Sequence, residues 1–355
     1  MEYVDHDLVR VWKSPTGGRS LDDLMVVLYR GDGVEVLSRN LTSTEVRLGP
    51  GRDGWVRGDL KTTTKAPLAL AFIDVGQGDA CLMTTPSGHR VLVDGGENKL
   101  AARYLASRFW DQTVAGEDVH FDAIVVTHGD ADHFDGLSTL VIDAAADKRP
   151  RKGIRVTAAR VFHNGLVKRG SSLADREQLG PAVDEGGTLF APVLDDPRAA
   201  KDANRPFERW NRALDELAQR APTSISRLDD QTAGAFDFLG DVKVEVLGPT
   251  IHRLKDGTLG LPLLAEEGSS SLSAAQTING HSIVLRITYG NVTTLLTGDL
   301  NAGSEADLLK RGVEVRADVL KVPHHGSDDV SRPFIDAIQP LISIISAGDE
   351  DTRRD

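Results

Sequence analysis

The sequence predicts a layered α/β domain, with helices covering stacked sheets, preceded by a small all-β unit. Two observations carry this. From Leu68 to Ser346, strand-length apolar runs alternate with helix-length amphipathic stretches, as expected for helices packed on sheets. Before residue 64 there are only short apolar runs (24–29, 34–37 and 55–56), separated by Gly-Asp and Pro-Gly turns, the pattern of a small β unit. The 35 glycines fit a chain with many turns.

Taken in order, residues 61–67 are polar, end in Pro67 and read as a linker. The expected division is therefore 1–64 and 65–355. Residues 68–75 form an apolar strand. Residues 80–85 and 91–93 form two more, joined by a turn at Pro86, Ser87 and Gly88. A helix fits 99–110, with Leu100, Tyr104 and Leu105 on one face. Further apolar strands fit 121–127, 158–162, 292–297 and 318–322. Residues of about 168–233 hold Gly, Pro, Asp and Arg with little periodicity, apart from one amphipathic helix near 204–220. They are expected to form an insertion or lid.

Composition narrows the class. With 40% hydrophobic and 26% charged residues the chain is an ordinary globular one. Its single cysteine, Cys81, excludes an intrachain disulfide and a thiolate metal cluster. There is no charged start followed by an apolar stretch, and no run near the roughly 18 apolar residues of a spanning helix. The expectation is a soluble cytoplasmic protein with no membrane partner. The net charge of −12 argues against a broad basic surface for gripping nucleic acid. It is compatible with an enzyme whose metal ions meet a phosphate.

The chemistry is concentrated in Thr127-His128-Gly129-Asp130-Ala131-Asp132-His133. Four possible ligands fall within six residues, directly after an apolar strand. Two imidazoles and two carboxylates in one loop need cations, because uncompensated carboxylates repel and their pKa values rise. Other polar residues end other apolar strands: His163 after 158–162, Asp299 after 292–297, and His324, His325 and Ser327 after 318–322. Active sites of layered α/β folds gather at one edge of the sheet. Asp299 also suits a cap for a helix at 305–311, and His163 taken alone suits a loop.

These motifs together resemble the metallo-β-lactamase fold superfamily, an αββα sandwich. Phe72-Ile-Asp-Val-Gly-Gln-Gly-Asp-Ala80, Val91-Leu-Val-Asp-Gly-Gly96, Leu296-Thr-Gly-Asp-Leu300 and Leu320-Lys-Val-Pro-His-His-Gly-Ser327 resemble its ComEC-like branch, the hydrolase part of a competence DNA-uptake protein. The resemblance covers roughly 68–347, with the middle insertion unmatched. Residues 31–37 and 54–60 resemble strands of bacterial SH3-like barrels, which implies an SH3-like N-terminal domain able to bind a protein or peptide ligand.

The resemblance implies two divalent ions. His128, Asp130 and His163 would hold the first. Asp132, His133 and one of His324 and His325 would hold the second, with His325 favoured because relatives place this ligand two residues before a Ser or Thr that starts a helix. Asp299 would bridge them, and Asp94 would support the ligand loop from behind. Asp74 and Asp79 would make structural hydrogen bonds around the site. Two ions about 3.5–4 Å apart activate a water and clamp the substrate oxygens. Asp132 would act in catalysis, and Lys321 and Ser327 would touch the phosphate. Most of the superfamily has His where this chain has Asp130. That harder ligand shifts preference towards Mn²⁺, with Zn²⁺ the alternative. Relatives of the branch usually continue with a His-Pro segment, whereas this chain stops at Asp355, as expected if the segment is absent or cut away.

The expected function is a two-metal phosphodiesterase or nuclease acting on DNA, in DNA processing or phage defence. Lactone, lactam or thioester hydrolysis on the same fold is one alternative. A catalytically silent binding protein that works through its SH3-like domain is another. Sequence does not specify the oligomeric state.

Overall fold

A computed structural model describes residues 1–16, 20–49, 51–149, 152–170, 178–266 and 269–348. The chain divides into two compact units, Met1–Ala69 with Thr85–Gly88, and Leu70–Thr84 with His89–Asp355. The first unit is all-β. Its seven-stranded sheet runs in the order Leu24–Tyr29, Leu8–Trp12, Asp53–Arg57, Ser43–Arg47, Gly33–Arg39, Glu2–Val4, Thr62–Thr63. Alternation places Val9 and Val11 on the inner face, where they meet Val34, Val46, Val56 and Leu60.

The second unit carries the layered α/β pattern. A six-stranded sheet runs Ser224–Arg227, Arg160–His163, Ala123–Val125, Arg90–Val93, Cys81–Thr84, Ala69–Phe72. A five-stranded sheet runs Lys243–Gly248, Val284–Tyr289, Val292–Leu296, Val319–Lys321, Ile342–Ile344. Cys81, Val93 and Thr127 from the first sheet's side and Leu296, Gly298 and Lys321 from the second line one small cavity between them. The helices Leu100–Arg108, Ala131–Ser138 and Arg205–Arg220 bury Leu105, Phe134, Leu137, Trp210 and Leu214 against the six-stranded sheet. Ala302–Lys310 and Arg332–Ile338 bury Leu308, Phe334 and Ile338 against the five-stranded one. Each of these helices thus packs its apolar side chains on one of the two sheets.

The stretch expected to be an insertion is in fact part of this frame. Asn204 caps the helix Arg205–Arg220 by accepting from the Phe207 amide. Phe207, Trp210, Ala213, Leu214 and Leu217 form its buried stripe at helical spacing. The following Ser224–Arg227 pairs in parallel with Arg160–His163 and adds an edge strand. Val183–Glu185 and Thr188–Pro192 stand aside, in a four-stranded sheet with Leu259–Pro262 and His252–Arg253. Residues 171–177 of that stretch, and 349–355 at the C-terminus, lie outside the described residues. Likewise Asn301, not Asp299, caps Ala302–Lys310, which leaves the Asp299 side chain for other work.

Glycines let the ligand loops approach closely. The Gly95 amide donates to the His133 carbonyl at 2.7 Å, and the Gly136 amide to the Gly96 carbonyl at 2.8 Å. A Cβ on Gly136 would overlap the Gly95 carbonyl oxygen. Gly136→Ala therefore forces the helix that carries His133 off its seat. We expect a loss of about 3 kcal/mol or more, read as a lower denaturation midpoint. A loss of a few tenths would show that the helix has room to shift.

Candidate metal centre

Three sequence-separated segments bring four possible ligand residues to one place. Asp132 and His133 lie in the first turn of Ala131–Ser138, Asp299 follows Val292–Leu296, and His325 follows Val319–Lys321. One ligand atom from each lies within 4.8 Å of the others. His325 Nε2 is 3.0 Å from Asp299 Oδ2 and 3.4 Å from Asp132 Oδ2, and His133 Nε2 is 3.3 Å from Asp299 Oδ2. His128 joins them, its ring centroid 4.0 Å from that of His133.

The hydrogen bonds behind these rings fix which nitrogen faces inward. Asp94, buried, accepts from the Thr127 amide at 2.8 Å and from Thr127 Oγ1 at 2.6 Å. It also faces His133 Nδ1 at 2.9 Å, so that nitrogen donates and Nε2 turns to the cluster. Ser282 Oγ donates to the Asn279 carbonyl at 2.8 Å. With both hydroxyl protons committed, His128 Nδ1 must donate to Thr127 Oγ1 (3.1 Å) and Ser282 Oγ (3.2 Å). His325 Nδ1 donates to the Ser346 carbonyl at 2.8 Å. Each ring therefore presents Nε2, the arrangement in which a partner on the other nitrogen orients a metal-binding imidazole.

Among the described residues, the buried atoms His128 Nε2, His133 Nε2, His325 Nε2, Asp299 Oδ1 and Asp79 Oδ1 have no hydrogen-bond partner. Buried polar atoms are nearly always paired, and imidazole nitrogens with carboxylate oxygens suit a divalent cation. The residues fit a metal ion.

Without an ion, protons take up the charge. Burial lowers His325, but its contacts with Asp132, Asp299 and Asp79 outweigh this and raise it to about 11. Burial likewise opposes the charged form of His133, yet Asp299 and Asp94 on either side hold it well above its ordinary value. Burial raises Asp299, and the charge of His133 with the contacts to both histidines brings it well below the carboxylate range. Burial, and then the charge of His133, lower the fully buried His128 to about 3, so its ring is neutral. Metal and proton thus compete for His325 Nε2. The histidine would bind the ion in its deprotonated form, so affinity is expected to rise with pH until about 11. One displaced proton gives about tenfold tighter binding per pH unit. A chelator-competition titration that is flat across pH 6.5–9 would remove His325 as a ligand.

The structure does not bring every expected residue here. His163 is buried, but Gly165 N–H donates to its Nδ1 and its Nε2 donates to the Asp195 carbonyl, both at 3.0 Å. Neither nitrogen keeps a lone pair for a metal. Asp130, half-buried, accepts from Lys168 Nζ at 3.2 Å instead of facing the cluster. His324 turns to Asp329 at 3.0 Å, and Ser327 Oγ also donates to Asp329. Adjacent His324 and His325 both have left-handed backbones (φ 47° and 56°), which points their rings to different partners. Lys321 is buried, bonded to Asp79 and to the Gly298 carbonyl; it is closed off from a substrate phosphate. Asp74 accepts from the Gly76 amide in its own turn. Ser282, which supports His128 and accepts from the Asp299 amide at 3.0 Å, had no signal in the sequence, since it follows an ordinary short helix.

This architecture and centre define the class. The family model described as the metallo-beta-lactamase superfamily matches residues 73–348, and the chain belongs to that superfamily of metal-dependent hydrolases. It is 42% identical over 71 residues to ComE operon protein 3 of Bacillus subtilis (strain 168), covering 20% of this chain and 9% of that protein. It is 39% identical over 72 residues to competence protein ComA of Neisseria gonorrhoeae, covering 20% and 10%. The matched part is thus about a tenth of the length of these relatives. Among solved structures it is similar to a metal-dependent hydrolase of the β-lactamase superfamily, with 13% identity, a TM-score of 0.38, and 80% of this chain and 90% of the other covered. Among the described residues, no helix is long and apolar enough to cross a membrane.

Proposed function

We propose that the chain is a divalent-metal-dependent phosphodiesterase that cuts DNA. The observation that carries this is the convergence of three Nε2 atoms with Asp132 and Asp299, in a chain whose partial likeness is to competence proteins. We assign Asp132, His133, Asp299 and His325 as ligands of one ion, with His128 beside them. A bound divalent ion supplies a nucleophilic water at neutral pH and polarises the phosphoryl oxygens. The protein's own part is orientation. Asp94 and the Ser346 carbonyl fix two imidazole rings, and Ser282 fixes both His128 and the Asp299 amide.

With two carboxylates among four ligands, we propose Mn²⁺ as the preferred ion, with Zn²⁺ the alternative. Asp130 no longer contributes to that preference, because its partner is Lys168. Asp130→His should then leave the Mn²⁺/Zn²⁺ activity ratio within about twofold of the wild type. A tenfold swing towards Zn²⁺ would place residue 130 at the metal after all.

The function is tested with linear DNA, circular DNA, RNA, a chromogenic phosphodiester, a β-lactam, a lactone and a thioester, each with Mn²⁺ and Zn²⁺. Turnover of the phosphodiesters and DNA is expected. Turnover confined to the lactam, lactone or thioester would overturn the substrate class. No turnover of any, by protein that binds metal, would favour a binding role.

A further inference from the structure

Lys321 is only 4% exposed, although it is a lysine. Its Nζ is ion-paired with Asp79, donates to the Gly298 carbonyl at 3.2 Å, and lies 3.7 Å from Asp299 Oδ1. These contacts join two separate segments, the Asp79 loop and the Gly298–Asp299 strand end. Asp79 Oδ1 is 3.5 Å from His325 Nδ1, and the Asp79 carbonyl accepts from the Gly96 amide at 2.8 Å, next to the turn that seats His133. Gly298 precedes Asp299. Lys321 itself ends the strand that leads to His325, and its carbonyl accepts from Thr297 Oγ1 at 2.7 Å. The preceding Gly78 has no room for a Cβ, which would overlap the Asp132 carbonyl oxygen; the Asp79 loop therefore also abuts the Asp132 backbone.

We propose that Lys321 is a positioning residue of the metal centre. Its side chain ties the Asp79 loop to the Gly298–Asp299 strand end. That sets the direction from which Asp299 and His325 present their ligand atoms. The proposal rests on the assignment of Asp132, His133, Asp299 and His325 as ligands. Lys321 does not touch the substrate; it acts from the buried side of the cluster.

Two roles must be separated, because a buried pair also compensates charge. Removing one partner leaves the other charge unpaired, whereas removing both is often neutral for stability. The test therefore compares wild type, K321M and the double variant D79N/K321M. Three readouts are used: denaturation midpoint of the metal-free protein, Mn²⁺ and Zn²⁺ affinity by chelator competition, and the visible absorption of the Co²⁺-loaded protein. K321M should lose both stability and, by about tenfold or more, metal affinity. The double variant should regain most of the stability. Its affinity should stay about tenfold or more below wild type, with an altered Co²⁺ band.

Recovery of both affinity and band in the double variant would overturn the proposal, leaving Lys321 a charge compensator for Asp79. So would K321M binding metal as tightly as wild type. If K321M does not fold, the double variant decides alone by the same criterion. If neither folds, the pair is a requirement of the core and the proposal falls. Wild type that binds none of these ions would instead refute the ligand assignment beneath it.

Discussion

Asp299→Ala should abolish metal-dependent hydrolysis, with a loss of about a thousandfold or more, while the purified protein stays folded. Asp299 Oδ2 lies close to both His133 Nε2 (3.3 Å) and His325 Nε2 (3.0 Å). The neighbouring Asp94 and Asp79 are engaged elsewhere, Asp94 with Thr127 and His133 Nδ1, and Asp79 with Lys321. The side chain is not part of a hydrophobic cluster, and its backbone amide bond to Ser282 survives truncation. The check is kcat/KM on a chromogenic phosphodiester, with circular dichroism to confirm the fold. Retention of more than about half the activity at saturating metal would show that Asp299 is not a ligand.

The adjacent histidines provide the second large effect and its control. His325→Ala removes an Nε2 that is 3.0 Å from Asp299 and 3.4 Å from Asp132. Metal affinity should fall by about a hundredfold and activity with it. His324→Ala removes a ring paired with Asp329 on a partly exposed turn, and affinity should change by less than about threefold. The residues share a backbone turn, so disruption of the turn would affect both variants alike. Equal losses would therefore mean that the turn, not the His325 ring, matters to the metal.

The fold was legible where local pattern decides it. The apolar runs 121–127, 292–297 and 318–322 contain the shorter strands Ala123–Val125, Val292–Leu296 and Val319–Lys321, because a buried strand needs such a run wherever it lies in the sheet. The stretch expected to be an insertion was less legible. Ser224–Arg227 is short and polar at its ends, and its place at the sheet edge comes from pairing with a strand some sixty residues earlier.

The site divides in the same way. Placement of His128, Asp132, His133, Asp299 and His325 at strand ends could be read from spacing. The direction of a side chain there depends on partners remote in sequence. Nothing around Asp130 announces Lys168, and nothing around His163 announces the Asp195 carbonyl. Lys321 was expected at a substrate phosphate, and lysines are seldom fully buried. Its burial is set by Asp79, more than two hundred residues away.

The most direct measurement is a crystal structure of the protein grown with Mn²⁺, with anomalous scattering used to place the ion. A peak is expected within ligand distance of His133 Nε2, His325 Nε2, Asp132 and Asp299. A peak between Asp130 and His163 with none at this cluster, or no peak at saturating Mn²⁺, would contradict the account.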